Sequence, residues 1–271
     1  MSASPTAEQI LQVSRAARVP AQMTPKHIFL LSSGKMSFYL AAAEETGEQR
    51  VRIAEAGVTD VDIISPAALE LGLDGLGPSV ADLLSADGAS AAILAIDYAS
   101  KLRIRINGKG KFREGRLHLE VEESFGNCNM YISRPEQDSE AEKALVRAAV
   151  TANDGVKLEP EERARIEGAR RFIMASASKR GADVSHRGGD EGFVRASERE
   201  VIFPDYPGNN MFATLGNLYE DGRCALLFPA YGDGRSLQVA GRATIETHAL
   251  TGDDLDTGRT IRVAVEHVIE E

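Results

Sequence analysis

The sequence predicts a mostly β protein built from two similar domains in tandem, and three observations lead to this fold class. From Lys26 onward the chain consists of short apolar runs bounded by Gly, Asp, Asn and Ser, a pattern typical of strands and turns. A charged segment that is poor in aromatic residues, 135–170, interrupts this pattern, which resumes at Phe172. The resumed part resembles the first part. We therefore expect an N-terminal domain at residues 1–134 and a C-terminal domain at residues 135–271.

The internal repeat is visible as matched positions at a nearly constant shift. Because 172 minus 38 is 134, a shift of 134 sets residues 38–41 (FYLA) against 172–175 (FIMA). The same shift matches further positions: Gly47 with Gly181, Leu84 with Leu218, 87–88 with 221–222, and 92–94 with 226–228. A shift of one residue less sets 106–109 against 239–242. This register over a whole domain predicts two homologous, mostly β halves.

The remaining elements follow from local patterns. Residues 6–17 place apolar side chains at helical spacing and predict a short amphipathic helix before the first sheet. Residues 77–85 predict one or two helical turns. Residues 102–106 alternate strictly and end at Asn107-Gly108, a hairpin signal, so we expect them to pair with the strand that follows. The charged segment 135–170 predicts two helices separated at Asn153-Asp154-Gly155.

Composition limits the possible functions. A formal net charge of −10 argues against broad binding of nucleic acid or anionic membranes, which depends on clustered Lys and Arg. Cys128 and Cys224 are far apart and form no CxxC, and the histidines show no metal-ligand spacing, so we expect neither disulfides nor a metal site. No signal peptide and no apolar stretch of about 20 residues is seen, which favours a cytoplasmic protein.

The stretch 183–210 holds the candidate functional site. Ser185-His186-Arg187-Gly188-Gly189 follows one apolar strand, and the turn 204–210 (PDYPGNN) follows the next. Paired glycines let backbone N–H groups converge on an anion, and a guanidinium fork suits phosphate. The pattern predicts a cradle for a phosphorylated small ligand, although two ordinary surface turns would have the same composition. The first half has VRIAE at 51–55 in the place of the polar run. If both segments served only to pack the core, this difference would not be expected, so it favours a binding role for the second copy.

The residues that carry this site resemble a known family. VSHRGG, GFV, IFPDYPGNNMFATLGNLYEDGRCALLF and LQVAGRA are similar to the pyridoxamine 5′-phosphate oxidase-related FMN-binding split-barrel family. The segment 125–132 (FGNCNMYI) is similar to that of a double-barrel subgroup. The resemblance implies two tandem split β-barrels with flanking helices, packed as an intrachain pseudo-dimer with FMN at the seam. The C-terminal barrel would hold the main site and the N-terminal barrel a degenerate half-site.

The resemblance also implies which residues touch the cofactor. Ser185 and Arg187 would follow the phosphate and ribityl side, with His186 and Gly188 also touching the cofactor, and Asp205 and Tyr206 would lie near the chain end of the isoalloxazine. Other positions would complete the site: Asn209 and Asn210 at the turn before a short helix at 211–219, Met211 at its start, and Asn127, Cys128 and Tyr131 covering the ring from the first barrel. The arginine-to-lysine strand motif and C-terminal segment of the pyridoxamine-phosphate oxidases proper are not evident, so oxidation of vitamin B6 is not expected.

These expectations describe an FMN-binding flavoprotein, an oxidoreductase acting on an unidentified small molecule, as a monomeric pseudo-dimer or a homodimer. No triad or metal cluster offers another mechanism, and no catalytic residue can be named. The alternatives are a flavin carrier or sensor without turnover, a haem-binding split-barrel protein that would need an axial histidine, and a structural relic with an empty site.

Overall fold

The computed structural model describes residues 5–16, 19–44, 50–127, 129–132, 156–229 and 235–270. The helices in these ranges are α1 (Ala7–Ala16), α2 (Pro25–Leu31), α3 (Pro78–Leu84), α4 (Pro160–Glu167) and α5 (Ala213–Glu220). The strands before the charged segment are β1 (Ser37–Ala43), β2 (Val51–Ala56), β3 (Val58–Ser65), β4 (Ala68–Leu73), β5 (Ala89–Asp97), β6 (Leu102–Arg113) and β7 (Arg116–Gly126). The strands after it are β8 (Arg171–Ser178), β9 (Gly181–Gly188), β10 (Arg195–Ala196), β11 (Glu200–Pro204), β12 (Arg223–Phe228), β13 (Leu237–Thr247) and β14 (Arg259–Glu270).

The two halves have the same topology. The first forms a seven-stranded antiparallel sheet in the order β2-β1-β5-β6-β7-β4-β3, and the second a seven-stranded sheet in the order β9-β8-β12-β13-β14-β11-β10. Each half places one helix, α3 or α5, between its fourth and fifth strands along the chain. The expected mostly β architecture, with two like-built halves and few helices, is therefore present.

The ladders fix which residues correspond. A β-bulge interrupts the β6–β7 ladder between Asn107 and Gly108, and another interrupts the β13–β14 ladder between Ala240 and Gly241. These bulges are 133 residues apart (241 minus 108), as the shifted match of residues 106–109 with 239–242 predicts. Both bulges bend a long strand, which lets the sheet curl.

One part of the sequence alignment is wrong. Phe38 faces Ala56 in the β1–β2 ladder, whereas Phe172 faces Arg187 in the β8–β9 ladder. The positions equivalent to 185–188 are therefore 54–57 (AEAG), a shift of 131, and not the residues from Val51 onward. The cause is the connection between the strands: Ala43 pairs with Val51, eight residues on, whereas Ala177 pairs with Ala182, five residues on.

The two sheets pack against each other through a shared apolar layer. Alternate side chains of β1 point to opposite sides, so Phe38 and Leu40 enter the core of the first sheet while Tyr39 and Ala41 face the second sheet. We call the shared layer the seam cluster: Tyr39, Ala41, Ala43, Val51, Ile53, Ala92, Leu94 and Ile96 from the first sheet, with Ile173, Ala175, Ala177, Ala182, Val184, Ala225, Leu227 and Ala240 from the second. Its many alanines allow the two sheets to approach closely.

The N-terminal helix belongs to the core of the second half, although it precedes the first sheet in the chain. Ile10 of α1 is fully buried in the core of the second sheet, and Arg15 forms an ion pair with Glu220 of α5 at 2.9 Å. The expected helix at 6–17 is thus present at Ala7–Ala16, and it packs against the second half.

Several expectations lie outside the described residues: the 134/135 boundary, Gly47, and the helix expected before Asn153-Asp154-Gly155. The helix expected after that break is α4. Within the described ranges, no helix combines the length and the apolar character needed to cross a membrane.

Candidate functional site: a cavity at the seam

A cavity of about 380 Å³ opens where the two sheets meet, and both halves line it. The first half contributes Arg103 and Arg105 from β6 and the segment after β7, including Asn127, Met130 and Tyr131. The second half contributes the end of β9, the loop between β11 and α5, the first turn of α5, and Arg259 of β14. This volume falls within the range of about 300–1,000 Å³ that is usual for small-molecule sites. We call this space the seam cavity.

Most of the residues selected from the sequence meet in the seam cavity. Those that line it are His186, Arg187, Gly188, Asp205, Asn209, Asn210, Met211, Asn127 and Tyr131. Ser185 does not line it, because it is buried in β9 with its hydroxyl 3.5 Å from the Met174 carbonyl oxygen. Cys128 lies outside the described residues.

Arg187 is anchored by a second member of the site. Its Nη1 donates to Asp205 Oδ1 at 3.0 Å, and Arg259 donates through Nε and Nη2 to the other oxygen of Asp205, Oδ2, at 2.9 Å. Asp205 is 4% exposed, so its carboxylate serves as a clamp for two guanidinium groups. Arg187 Nε is buried and has no hydrogen-bond partner among the described residues, so this N–H remains available to a ligand.

A second clamped arginine comes from the first sheet. Arg105 Nη1 donates to both carboxylate oxygens of Asp183, at 3.2 and 3.0 Å, and Thr214 of α5 donates its hydroxyl to the same carboxylate at 2.7 Å. Burial lowers the pKa of Arg105, Asp183 opposes that shift, and nearby Arg187 adds to it. Arg105 Nε is also buried and has no partner within the described part of the chain. The two arginines therefore bring charged donors from different sheets to one wall.

This second arginine is not among the residues that the sequence predicts for the site. The alternation at 102–106 (LRIRI) shows that its two arginines share one face of a strand. It does not show that this face meets the other half of the chain. Arg105 and Asp183 are 78 residues apart, and only the packing of the sheets brings them together. Asp183 was recognised only as the start of the polar stretch.

His186 lies among positive charges. It is 6% exposed, and neither ring nitrogen has a hydrogen-bond partner among the described residues. Burial is the main cause that holds its pKa well below the usual 6.5, and Arg103, Arg171, Arg187 and Arg105 lower it further. The imidazole is therefore neutral near pH 7, with one nitrogen able to donate and one able to accept.

The loop before α5 turns sharply into the cavity. Asn210 and Phe212 adopt left-handed backbone conformations, with φ of 56° and 54°, and Asn209 Oδ1 accepts a hydrogen bond from the Met211 N–H at 3.3 Å. The helix begins at Ala213, two residues later than expected. Ala213, Thr214 and Leu215 all line the cavity, so the N-terminus of α5, with its free N–H groups and positive dipole end, borders it.

Aromatic rings form another wall. Tyr131 stacks on Tyr206 with ring centroids 5.3 Å apart, and Tyr206 stacks on Phe193 at 6.3 Å. Tyr131 follows the last strand of the first sheet, whereas the other two rings belong to the second half. The cavity thus has a cationic wall and a flat aromatic wall, each assembled from both halves.

The equivalent place on the other side of the seam is small. A pocket of about 90 Å³ is lined by Ile53, Ala54, Glu55, Gly77, Leu227, Ser236 and Gln238. By the ladder correspondence, Glu55 stands for His186 (shift 131), and Ser236 and Gln238 stand for Arg103 and Arg105 (shift 133). Gln238 uses its amide oxygen to accept from the Ile53 N–H at 2.9 Å. None of the described residues that line this second pocket is an arginine, so it has no counterpart of the cationic wall.

No protein-family model and no curated protein matches the chain. It is similar to the solved structure of HupZ of Group A Streptococcus, with 12% identity and a TM-score of 0.34 over 42% of this chain and 94% of that one. It is similar to a proposed pyridoxamine 5′-phosphate oxidase of Lactobacillus delbrueckii (16%, TM-score 0.29, 39% and 95%). It is also similar to an FAD-binding protein of Mycobacterium smegmatis (11%, TM-score 0.30, 43% and 97%). At these identities and TM-scores the likenesses assign no function to this chain.

Proposed function

We propose that this chain is a flavoprotein that binds one FMN in the seam cavity and works as an oxidoreductase on a small molecule. One observation carries the proposal: buried guanidinium groups and stacked aromatic rings face a single cavity of about 380 Å³. FMN joins an anionic phosphate to a planar ring through a chain of hydroxyl groups. It therefore needs a cationic wall, a flat wall and polar groups between them, and this cavity has all three.

The cationic wall would hold the phosphate. Arg105 and Arg187 each keep a buried Nε–H that no described residue accepts, and charge-assisted bonds to phosphate are the strong ones. Asp183 and Asp205 orient the two guanidinium groups before the ligand arrives, which lowers the cost of ordering them on binding. The N-terminus of α5 would add its dipole.

The ring would lie toward the aromatic wall. Tyr131 and Tyr206 would cover it, and Asn127, Asn209 and Asn210 would serve the polar chain between the phosphate and the ring. When bound, FMN itself supplies the electron or hydride transfer, while the protein orients it and excludes water.

We also propose that the two sheets are split barrels of the FMN-binding type, arranged as an internal pseudo-dimer of the double-barrel subgroup. The motifs between Phe172 and Ala243 and the matching strand orders of the two sheets support this assignment. The boundary near residue 134 and the homology of the halves belong to the same proposal.

Purification followed by cofactor release tests the proposal directly. We expect a yellow protein with flavin absorption bands, and FMN as the flavin released on denaturation. If the protein is isolated without ligand, titration with FMN, riboflavin and FAD should give the tightest binding with FMN, because FAD is much larger than the cavity. A protein that binds none of the three would refute the proposal.

Arg187→Ala tests the placement of the phosphate. Asp205 keeps its two contacts with Arg259 in this variant, and alanine is the residue at the equivalent position 56 of the first sheet. Loss of a charged hydrogen bond of about 1.5–3 kcal/mol should weaken FMN binding by roughly 10- to 150-fold. Riboflavin, which lacks the phosphate, should be affected little. The matched control is Arg262→Ala, which removes an arginine paired with Glu246 and Glu200 away from the cavity.

Turnover separates an enzyme from a carrier. Anaerobic addition of NADH or NADPH should bleach the flavin bands, and oxygen or a dye should restore them. Binding without reduction by either donor would favour a flavin carrier or sensor.

His186 supports a second candidate, a haem-binding protein. It is a neutral histidine whose ring nitrogens both lack described partners, so either nitrogen could bind the iron, and arginines nearby could pair with propionates. An absorption band in the Soret region that disappears in His186→Ala would establish haem binding and would contradict the flavin proposal.

A further inference from the structure

His186 differs in its chemistry from the two arginines assigned to the phosphate, although all three line the seam cavity. Arg105 and Arg187 have their Nη1 atoms held by Asp183 and Asp205, and each offers one charged donor. His186 offers an uncharged ring. It is more than nine-tenths buried, and both of its nitrogens lack hydrogen-bond partners among the described residues. A buried polar group without a partner is costly, so a ligand atom is the expected partner.

We propose that His186 selects the ligand by hydrogen bonding to the uncharged part that FMN and riboflavin share. This inference rests on the proposed function. The phosphate is assigned to the arginine donors and α5, so the histidine is left for the hydroxyl chain or the polar edge of the ring system.

The four arginines around the imidazole favour its neutral form. Arg103 and Arg105 face it from β6, Arg171 from β8 and Arg187 from β9, and Tyr98 meets its ring edge-on, with centroids 6.5 Å apart. The aspartates close by are already paired: Asp183 with Arg105, and Asp205 with Arg187 and Arg259. Burial acts in the same direction as the arginines. The ring therefore keeps both a donor and an acceptor over the physiological pH range.

The space around His186 is restricted. A Cβ built on Gly188 would overlap the Tyr131 carbonyl oxygen and would lie 3.0 Å from the His186 ring, so backbone and imidazole are packed tightly here. The imidazole ring is thus held close to Tyr131, in the segment that follows β7 of the first half. The two ring nitrogens of His186 offer one donor and one acceptor. A ligand with an apolar group at this place would leave these nitrogens without hydrogen bonds and would therefore bind more weakly.

Comparison of two ligands and three variants tests the proposal. Dissociation constants for FMN and riboflavin are measured with the wild type and with His186→Phe, His186→Gln and Arg187→Ala. Phenylalanine keeps a ring but no hydrogen bond, so we expect roughly a three- to ten-fold loss, equal for both ligands. Glutamine restores a donor and an acceptor and should recover most of that loss. Arg187→Ala should weaken FMN alone.

The pH dependence of riboflavin binding is a second readout that needs no variant. Riboflavin has no phosphate to titrate, so its affinity for the wild type should stay constant from about pH 5.5 to 8 if His186 remains neutral. A midpoint between these values that disappears in His186→Gln would overturn the proposal. So would a His186→Phe protein that binds riboflavin as tightly as the wild type does. If the wild type binds no flavin, the proposed function fails and this inference fails with it, which is a different result from a loss seen only in the variants.

Discussion

Arg105 of the first sheet and Asp183 of the second form an ion pair across the seam, with Nη1 3.0 and 3.2 Å from the two carboxylate oxygens. The Arg105 side chain is 12% exposed and that of Asp183 3%. Thr214 and Asn107 also donate to Asp183, so one carboxylate joins β6, β9 and α5. The same contact that holds the two halves together therefore orients a cationic wall of the cavity.

Removal of this arginine should destabilise the fold as well as the site. In Arg105→Gln, which installs the residue found at the equivalent position 238, Asp183 keeps its contacts with Thr214 and Asn107 but loses its cation. Breaking a buried pair typically costs about 3–5 kcal/mol, and we expect a loss near the lower end because glutamine can still donate a hydrogen bond. Urea denaturation measures it. In the control, Arg262→Ala, two surface ion pairs are lost, and the change should be much smaller than in Arg105→Gln.

The strand pattern and the repeat could be predicted because alternation and turn residues are local properties. The polar run after β8 could be located for the same reason, and most of the residues selected there line the cavity. The charge partners could not be found. The guanidinium fork predicts Arg187 as a phosphate ligand but not its ion pair with Asp205, and Arg105 joins the site only because the two sheets pack face to face. Ser185 was chosen for its polarity, but strand alternation turns its hydroxyl toward Met174.

The asymmetry of the two pockets predicts one flavin per chain. The second pocket measures about 90 Å³, and the amide oxygen of Gln238 there already accepts a hydrogen bond from the Ile53 N–H. The pocket is therefore too small for a second cofactor and lacks the positive charge to bind one. Calorimetric titration should give a stoichiometry of one. Gln238→Ala should leave the affinity for FMN unchanged, whereas Arg105→Gln should lower it. A stoichiometry of two would show that the small pocket also accepts flavin.

The bulge glycines should not tolerate alanine. A Cβ on Gly108 would overlap the Glu120 carbonyl oxygen, and one on Gly241 would overlap the Ala264 carbonyl oxygen, so the paired strands would have to separate. We expect each Gly→Ala variant to lose about 2 kcal/mol or more of unfolding free energy, as strained or overpacked positions do. Gly208→Ala is the control, because nothing lies within 4 Å of its added Cβ. Thermal denaturation that moves all three variants equally would contradict the role of the bulges.

Cys224 should be inert in the native protein. Its side chain is 1% exposed in the core of the second sheet, and burial raises the pKa of its thiol to about 12. Since the thiolate is the reactive form, iodoacetamide at pH 8 should leave Cys224 unmodified until denaturant is added. Peptide mass spectrometry distinguishes it from Cys128. Rapid native labelling of Cys224 would mean that the second core opens readily.

His186 should make the fold sensitive to acid. In the folded state its pKa is lowered from 6.5, chiefly by burial and then by the surrounding arginines. Below about pH 6.5 the histidine therefore becomes protonated in the unfolded chain while it stays neutral in the folded chain. The free energy of unfolding is therefore unaffected by this histidine above that pH. It falls as the pH drops, by at most about 1.4 kcal/mol per pH unit for one histidine. His27, whose pKa burial also lowers, adds to this slope in both proteins compared here. The unfolding free energy of wild type minus that of His186→Phe, measured at pH 7.5, 6.5 and 5.5, should decrease toward low pH, because the variant has lost one such proton. Parallel curves would mean that His186 titrates alike in the folded and unfolded states.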